Sequence, residues 1–169
     1  MPYKLPPLKY GYSALEPFLD AETLYLHHTR HHAGHIEKLN RLLQGRTVLN
    51  SMGLEDIVSD ISVVPEEIRQ DVRNHGGGHL NHCLFWEGLC PGGSEEAPPL
   101  LAGAIEETFG GREKLRAEFT EAALDRFGGG WAWLLMDDKD ELVIATTPNQ
   151  DSPLMRGYRP VLGLDLCEH

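Results

Sequence analysis

Five of the nine histidines in this 169-residue chain crowd one short stretch: His27, His28, His31, His32 and His35. Residues four apart stack on one side of a helix, so His27, His31 and His35 form a stripe with His28 and His32 beside it. Imidazole is a poor helix former and an awkward core group, so packing alone gives little reason to gather it here. A solvated, histidine-rich face is one reading. Metal binding is the other, because neutral imidazole is the commonest protein ligand for transition ions. On that reading the rest of the chain must supply the remaining ligands.

Size and charge narrow the setting. Hydrophobic residues make up 41% of the chain, as expected for a packed globular protein. No apolar run is long enough to cross a bilayer, and the opening MPYKLPPLKYGY lacks the apolar core of a signal peptide. The expectation is a soluble, cytoplasmic protein with no membrane partner. Cys83, Cys90 and Cys167, an odd number with no CxxC pair, agree with a reducing compartment. A net charge of −11 argues against nucleic acid, whose phosphates need a basic footprint. It also opposes small anions unless a local positive site draws them in.

Taken in order, the chain opens with a proline-rich, extended arm to about Tyr12. Asp20 is a good N-cap for a helix running to Gln44, with Gly45 as its stop. Residues 46–64 read as a connector with a short helix over Leu54–Ile61, and Pro65 suits the first turn of a further helix. Gly76–Gly78 would interrupt that helix on propensity alone. Histidines and aromatics resume at once in His79, Asn81, His82, Phe85 and Trp86, which favours an unbroken helix whose glycines admit a close neighbour. A phosphate-binding loop has little support, since no Gly-Lys-Ser/Thr follows.

Residues 88–99 form the clearest break in composition, dividing a unit over 1–90 from one over 91–169. Leu100–Phe109 and Glu113–Phe127 have helical spacing. Trp131–Met136 and Leu142–Thr147 read as an antiparallel hairpin, and Val161–Leu166 as a third strand. The class is α+β: an N-terminal helical hairpin, then an α/β half with a small three-stranded antiparallel sheet.

Candidates for the missing ligands are His79, His82, Asp165 and His169. One helix giving His27, a second giving His82 and a strand end giving Asp165 and His169 would assemble three nitrogens and one oxygen. Such a set suits manganese or iron, one ion per chain, and leaves a position open for water or substrate. Zinc is compatible by ligand type.

YKLPPLKYGYSALEP, LHHTRHH, RNHGGGHLNHCLFW, FGGGWAWL, TPNQDSPL and GLDLCEH together carry a resemblance to the iron/manganese superoxide dismutases along nearly the whole chain. The resemblance implies a helical hairpin and an α/β half with one metal between them, and a cycle that converts superoxide to dioxygen and hydrogen peroxide. It assigns ligand roles to His27, His82, Asp165 and His169, the same four that spacing proposes. By resemblance Gln150 tunes the metal-bound solvent, and Gln150 with Gly78 looks like the manganese type more than the iron type. Trp86, Trp131 and Trp133 would wall the site, a role compatible with being plain core aromatics. His31 matches the histidine near the substrate entrance, with Arg30 the nearest cation in sequence. His28, His32, His75 and His79 are expected to be structural or surface residues.

Four departures qualify the resemblance. His35 stands where the family has a tyrosine that gates the channel and joins the proton relay; histidine also passes protons, with a pKa nearer neutrality. Cys167 replaces a tryptophan, and reads first as an inert cysteine, with peroxide sensitivity as the alternative. His75 replaces an asparagine. Finally, the given chain stops at His169, before the aromatic-rich C-terminal helices of the family. The expectation is that self-association, domain swapping or another partner covers the surface those helices would bury, with Glu168 keeping a symmetric homodimer plausible. These departures leave a second function class open, a dismutase-derived metal-binding or interaction protein with little turnover.

Overall fold

The structure is a computed structural model describing residues 2–93 and 96–167. Asp20 caps the first helix, α1 (Ala21–Leu26), by accepting the backbone N–H of Thr23 at 2.9 Å. The chain continues through a π-helical turn over His27–His32 into α2 (Ala33–Leu43) and stops at Gly45, where φ is +76°. The expected single α-helix is therefore widened across its histidines, a distortion that concentrates at functional sites. The stripe survives the widening: ring centroids are 5.4 Å apart for His27 and His31, and 5.0 Å for His31 and His35.

Two short helices, α3 (Thr47–Ser51) and α4 (Leu54–Ser59), lead into α5 (Glu66–Gly88). The five residues of α3 are too few to show a period, and sequence reading misses them. The helix expected over Leu54–Ile61 ends at Ser59, with a 3₁₀ turn at Ile61–Val63. Helix α5 runs unbroken through Gly76–Gly78 because neighbours occupy the space a side chain would take. A Cβ on Gly76 would lie 3.2 Å from Val58 Cγ2 and one on Gly78 2.6 Å from His35 Nδ1, while one on Gly77 would strike the backbone carbonyl of Gln150. Leu39, Leu43, Leu54, Ile57, Val58 and Val72 fill the core between α2, α4 and α5.

The opening arm is irregular, as expected, but tied down. Tyr3 exchanges two hydrogen bonds with the Asn40 side chain, at 2.8 and 2.9 Å, and Tyr10 donates to the carbonyl of Trp86 at 3.1 Å.

In the second half, α6 (Pro99–Phe109) and α7 (Arg112–Leu124) cover one face of a three-stranded antiparallel sheet. Helix α7 ends three residues before the expected Phe127, whose side chain is 96% exposed and finds no apolar surface there. The strands β1 (Gly130–Met136), β2 (Leu142–Pro148) and β3 (Arg159–Asp165) lie in the order β2-β1-β3. Central β1 is buried almost throughout and stacks Trp131 on Trp133 at 5.2 Å. Its register sets Trp131 opposite Asp165 on β3 and opposite Thr147 on β2. Arg73 on α5 clasps Asp151, after β2, through Nε–Oδ1 at 2.7 Å and Nη2–Oδ2 at 2.5 Å, tying the helical half to the sheet.

Candidate metal centre

Three side chains from three elements converge between α5, the π-helical turn and the end of β3. His27 Nε2 lies 3.0 Å from His82 Nε2 and 3.1 Å from Asp165 Oδ2, and His82 Nε2 lies 3.5 Å from the same oxygen. All three side chains are almost wholly enclosed. Donors about 2.1 Å from a shared ion are spaced about 3.0 Å at right angles and about 3.6 Å in a trigonal plane. The observed triangle falls within that range, so the residues present fit a transition ion. His31 brings a ring nitrogen within 4.8 Å of those of His27 and His82.

The groups behind these three donors fix which atoms face inward. His82 Nδ1 is 2.6 Å from the carbonyl of Gly78, which can only accept, so Nδ1 carries the hydrogen and the Nε2 lone pair points into the site. Burial, the largest influence, pushes the His82 pKa down to about 3 and keeps the ring neutral, as a ligand must be. Asp165 is held likewise: Oδ1 accepts the backbone N–H of Cys167 at 2.8 Å, leaving Oδ2 toward the imidazoles. His169 and Glu168 lie outside the described residues.

Aromatic rings close the site. Trp131 meets His82 edge to face at 5.2 Å, and Trp86 and Phe85 stand 4.9 and 5.7 Å from His27. Trp133 is one layer further back and donates to Thr147 Oγ1 at 2.9 Å, the packing role. Trp131 Nε1 donates to Gln150 Oε1 at 3.1 Å, orienting a buried amide whose nitrogen lies 3.7 Å from Cys167 Sγ. Burial raises the Cys167 thiol to about 11, which favours the inert reading. His35 touches the rings of His31 and His82, at 5.0 and 5.6 Å, and burial followed by the His31 charge lowers its pKa to about 3. Arg30 is exposed.

A second cluster, His32, His79 and Cys83, has metal-like proximity but the wrong tautomers. Trp86 Nε1 donates to His32 Nδ1 at 2.9 Å, so the hydrogen of neutral His32 sits on Nε2 and is given to His79 Nδ1 at 2.7 Å. Both nitrogens of His32 are thereby committed. His28 is committed as well, donating from Nε2 to the Pro6 carbonyl at 2.8 Å with Tyr12 Oη 3.1 Å from Nδ1. These three histidines are structural, as the sequence reading expects.

Sequence reasoning missed the two orienting groups, the Gly78 carbonyl and the Cys167 N–H, because both are backbone atoms. A glycine four residues before a candidate ligand histidine is the one signal that could reveal the first. It also missed the contact of His35 with His75, which lies forty residues away in the chain.

Comparison with known proteins agrees with this geometry. Residues 2–90 match the family described as iron/manganese superoxide dismutases, alpha-hairpin domain, and residues 97–169 match the C-terminal domain of the same family. The chain is 46% identical over 168 residues to a superoxide dismutase of Thermus thermophilus named for manganese, covering 99% of this chain and 82% of that one. It is 48% identical over 167 residues to a manganese/iron superoxide dismutase of Methylomonas sp. strain J, covering 99% and 82%. It is 49% identical over 169 residues to a manganese superoxide dismutase of Listeria monocytogenes, covering 100% and 83%. A donor triangle of this shape, held by two helical segments and a strand end, thus occurs in a chain that belongs to the iron/manganese superoxide dismutase family.

Proposed function

We propose that this protein is a metal-dependent superoxide dismutase, with His27, His82, Asp165 and His169 as ligands to one manganese or iron ion. The convergence of His27 Nε2, His82 Nε2 and Asp165 Oδ2 carries this reading. A bound ion supplies the one-electron exchange by which one superoxide becomes dioxygen and the next becomes hydrogen peroxide. Gly78 and Cys167 fix the donor atoms of His82 and Asp165. Trp131, Trp86 and Phe85 exclude water around His27 and His82. Gln150, anchored by Trp131, would present its amide to solvent held by the ion and tune the protons there. His31 and His35 line the approach to His82 and serve substrate entry and proton transfer. A binding protein without turnover is not favoured, since relatives that match nearly the whole chain at 46% and 49% identity are named superoxide dismutases.

Residues 1–90 and 91–169 are proposed as two units that share this site. A homodimer is also proposed; exposed Leu124 and Phe127, at 80% and 96%, offer apolar surface for it. Three free thiols, Cys83, Cys90 and Cys167, suit a cytoplasmic setting. Among the described residues no helix is long and apolar enough to cross a membrane.

The test is superoxide consumption per bound metal on purified protein. A fast rate lost in His82→Ala supports the reading. Stoichiometric metal with a negligible wild-type rate overturns it.

A further inference from the structure

Two histidines outside the ligand set meet across α2 and α5. His35 Nδ1 lies 3.1 Å from His75 Nδ1, with ring centroids 5.2 Å apart, so one hydrogen is shared between them. On its inner side His35 touches the rings of His31 and His82, in space that Gly78 leaves open. On the outer side His75 is half-buried, with Lys38 of α2 and Asp71 of its own helix as charged neighbours. His35 itself faces His31, His75, Lys38 and, across the site, Asp165. Both histidines are departures from the family resemblance, and the two departures touch each other. A tyrosine–asparagine pair could hold a hydrogen bond there, but only the histidine pair can carry a proton in on one atom and out on another.

Resting on the dismutase reading, we propose that His75 is the outer half of a two-imidazole path that delivers protons from solvent through His35 to the site. Reduction of superoxide to hydrogen peroxide consumes one electron and two protons, and the path supplies protons only. A solvent proton adds to Nε2 of His75, the Nδ1 hydrogen crosses to Nδ1 of His35, and the hydrogen on Nε2 of His35 is released inward. One proton enters and one leaves, so the pair gains no net charge. Rotation leaves each hydrogen on its own nitrogen, so the starting tautomers return by exchange with solvent water, one proton lost and one gained per ring, which the incomplete burial of both rings permits. His75 acts through His35 and is a positioning residue, seven positions from His82 on the same helix and not among the ligands.

The experiment compares the intact, metal-loaded wild type with His75→Ala at equal metal content. The expected result is a fall in kcat of about tenfold, less than the roughly hundredfold low end of direct general acid–base contributions because His75 acts through His35, with kcat/KM little changed. The fall should deepen as pH rises above neutrality, where solvent protons become scarce, and added imidazole should restore the rate. A purely structural role would not give rescue. The second readout is ¹⁵N NMR of histidine in the zinc-loaded chain, which should show coupling through the shared hydrogen of His35 and His75. Wild-type turnover with an unmoved His75→Ala, a loss that imidazole leaves in place, or absent coupling each overturns the path alone. A metal-loaded wild type without turnover overturns the dismutase reading instead.

Discussion

Gly78 and His35 face each other so closely that a methyl group on Gly78 would stand 2.6 Å from His35 Nδ1. Alanine normally stabilises a helix interior relative to glycine by about 1 kcal/mol. Here the opposite is expected, a loss of about 1–3 kcal/mol, because the ring must leave its place. Urea unfolding of Gly78→Ala, His35→Ala and the double variant checks this. The double variant should recover much of the loss, and strict additivity would show that the two residues do not press on each other.

Asp165→Ala removes the oxygen that lies within 3.1 Å of His27 and 3.5 Å of His82. Metal counted on the purified variant should drop from stoichiometric to near zero. Full retention of metal would refute the ligand set.

Trp131→Phe keeps the ring against His82 but removes the N–H that holds Gln150 Oε1. A stability loss of about 1 kcal/mol is expected for one buried hydrogen bond. Turnover should fall further than metal content, because the amide loses its orientation while the ligands stay. Equal falls in both would place Trp131 with the ligands rather than with Gln150.

Acid should destabilise the metal-free fold well before its carboxylates titrate. Burial is the largest cause holding His32, His35, His79 and His82 near pKa values of about 2, 3, 4 and 3. In the unfolded chain the same rings titrate near about 6.5, so below that pH the unfolded state binds more protons. Stability is full above about pH 6.5 and declines as pH falls toward the folded-state values. The urea midpoint should be flat from about pH 7 to 8 and drop steadily from about pH 6.5 to 4. A midpoint unchanged across the lower interval would mean that these rings are protonated in the fold.

Much of this was legible in the sequence, for identifiable reasons. The histidine stripe followed from helical spacing, and the strands from β-branched and aromatic runs bounded by Gly128–Gly130 and Asp137–Glu141. Gly76–Gly78 were read correctly because polar and aromatic residues resumed at once after them. The π-helical turn was not legible, since one residue of extra winding leaves the four-residue stripe nearly intact. The early end of α7 was missed because Phe127 keeps the apolar period while having nothing to pack on. The tautomers of His32 and His82 depend on Trp86 and on a backbone carbonyl, partners that only the fold supplies.

The pairing of Trp131 with Asp165 bears on how the chain commits to its final form. Sliding β3 by a single residue against β1 would turn Asp165 to the opposite side of the sheet and take its oxygen from the imidazoles. An ion held by His27, His82 and Asp165 would therefore discriminate against misaligned strands, stabilising the alignment that completes its own coordination. Metal uptake and strand alignment would become one thermodynamic event, with the metal as proofreader of the sheet.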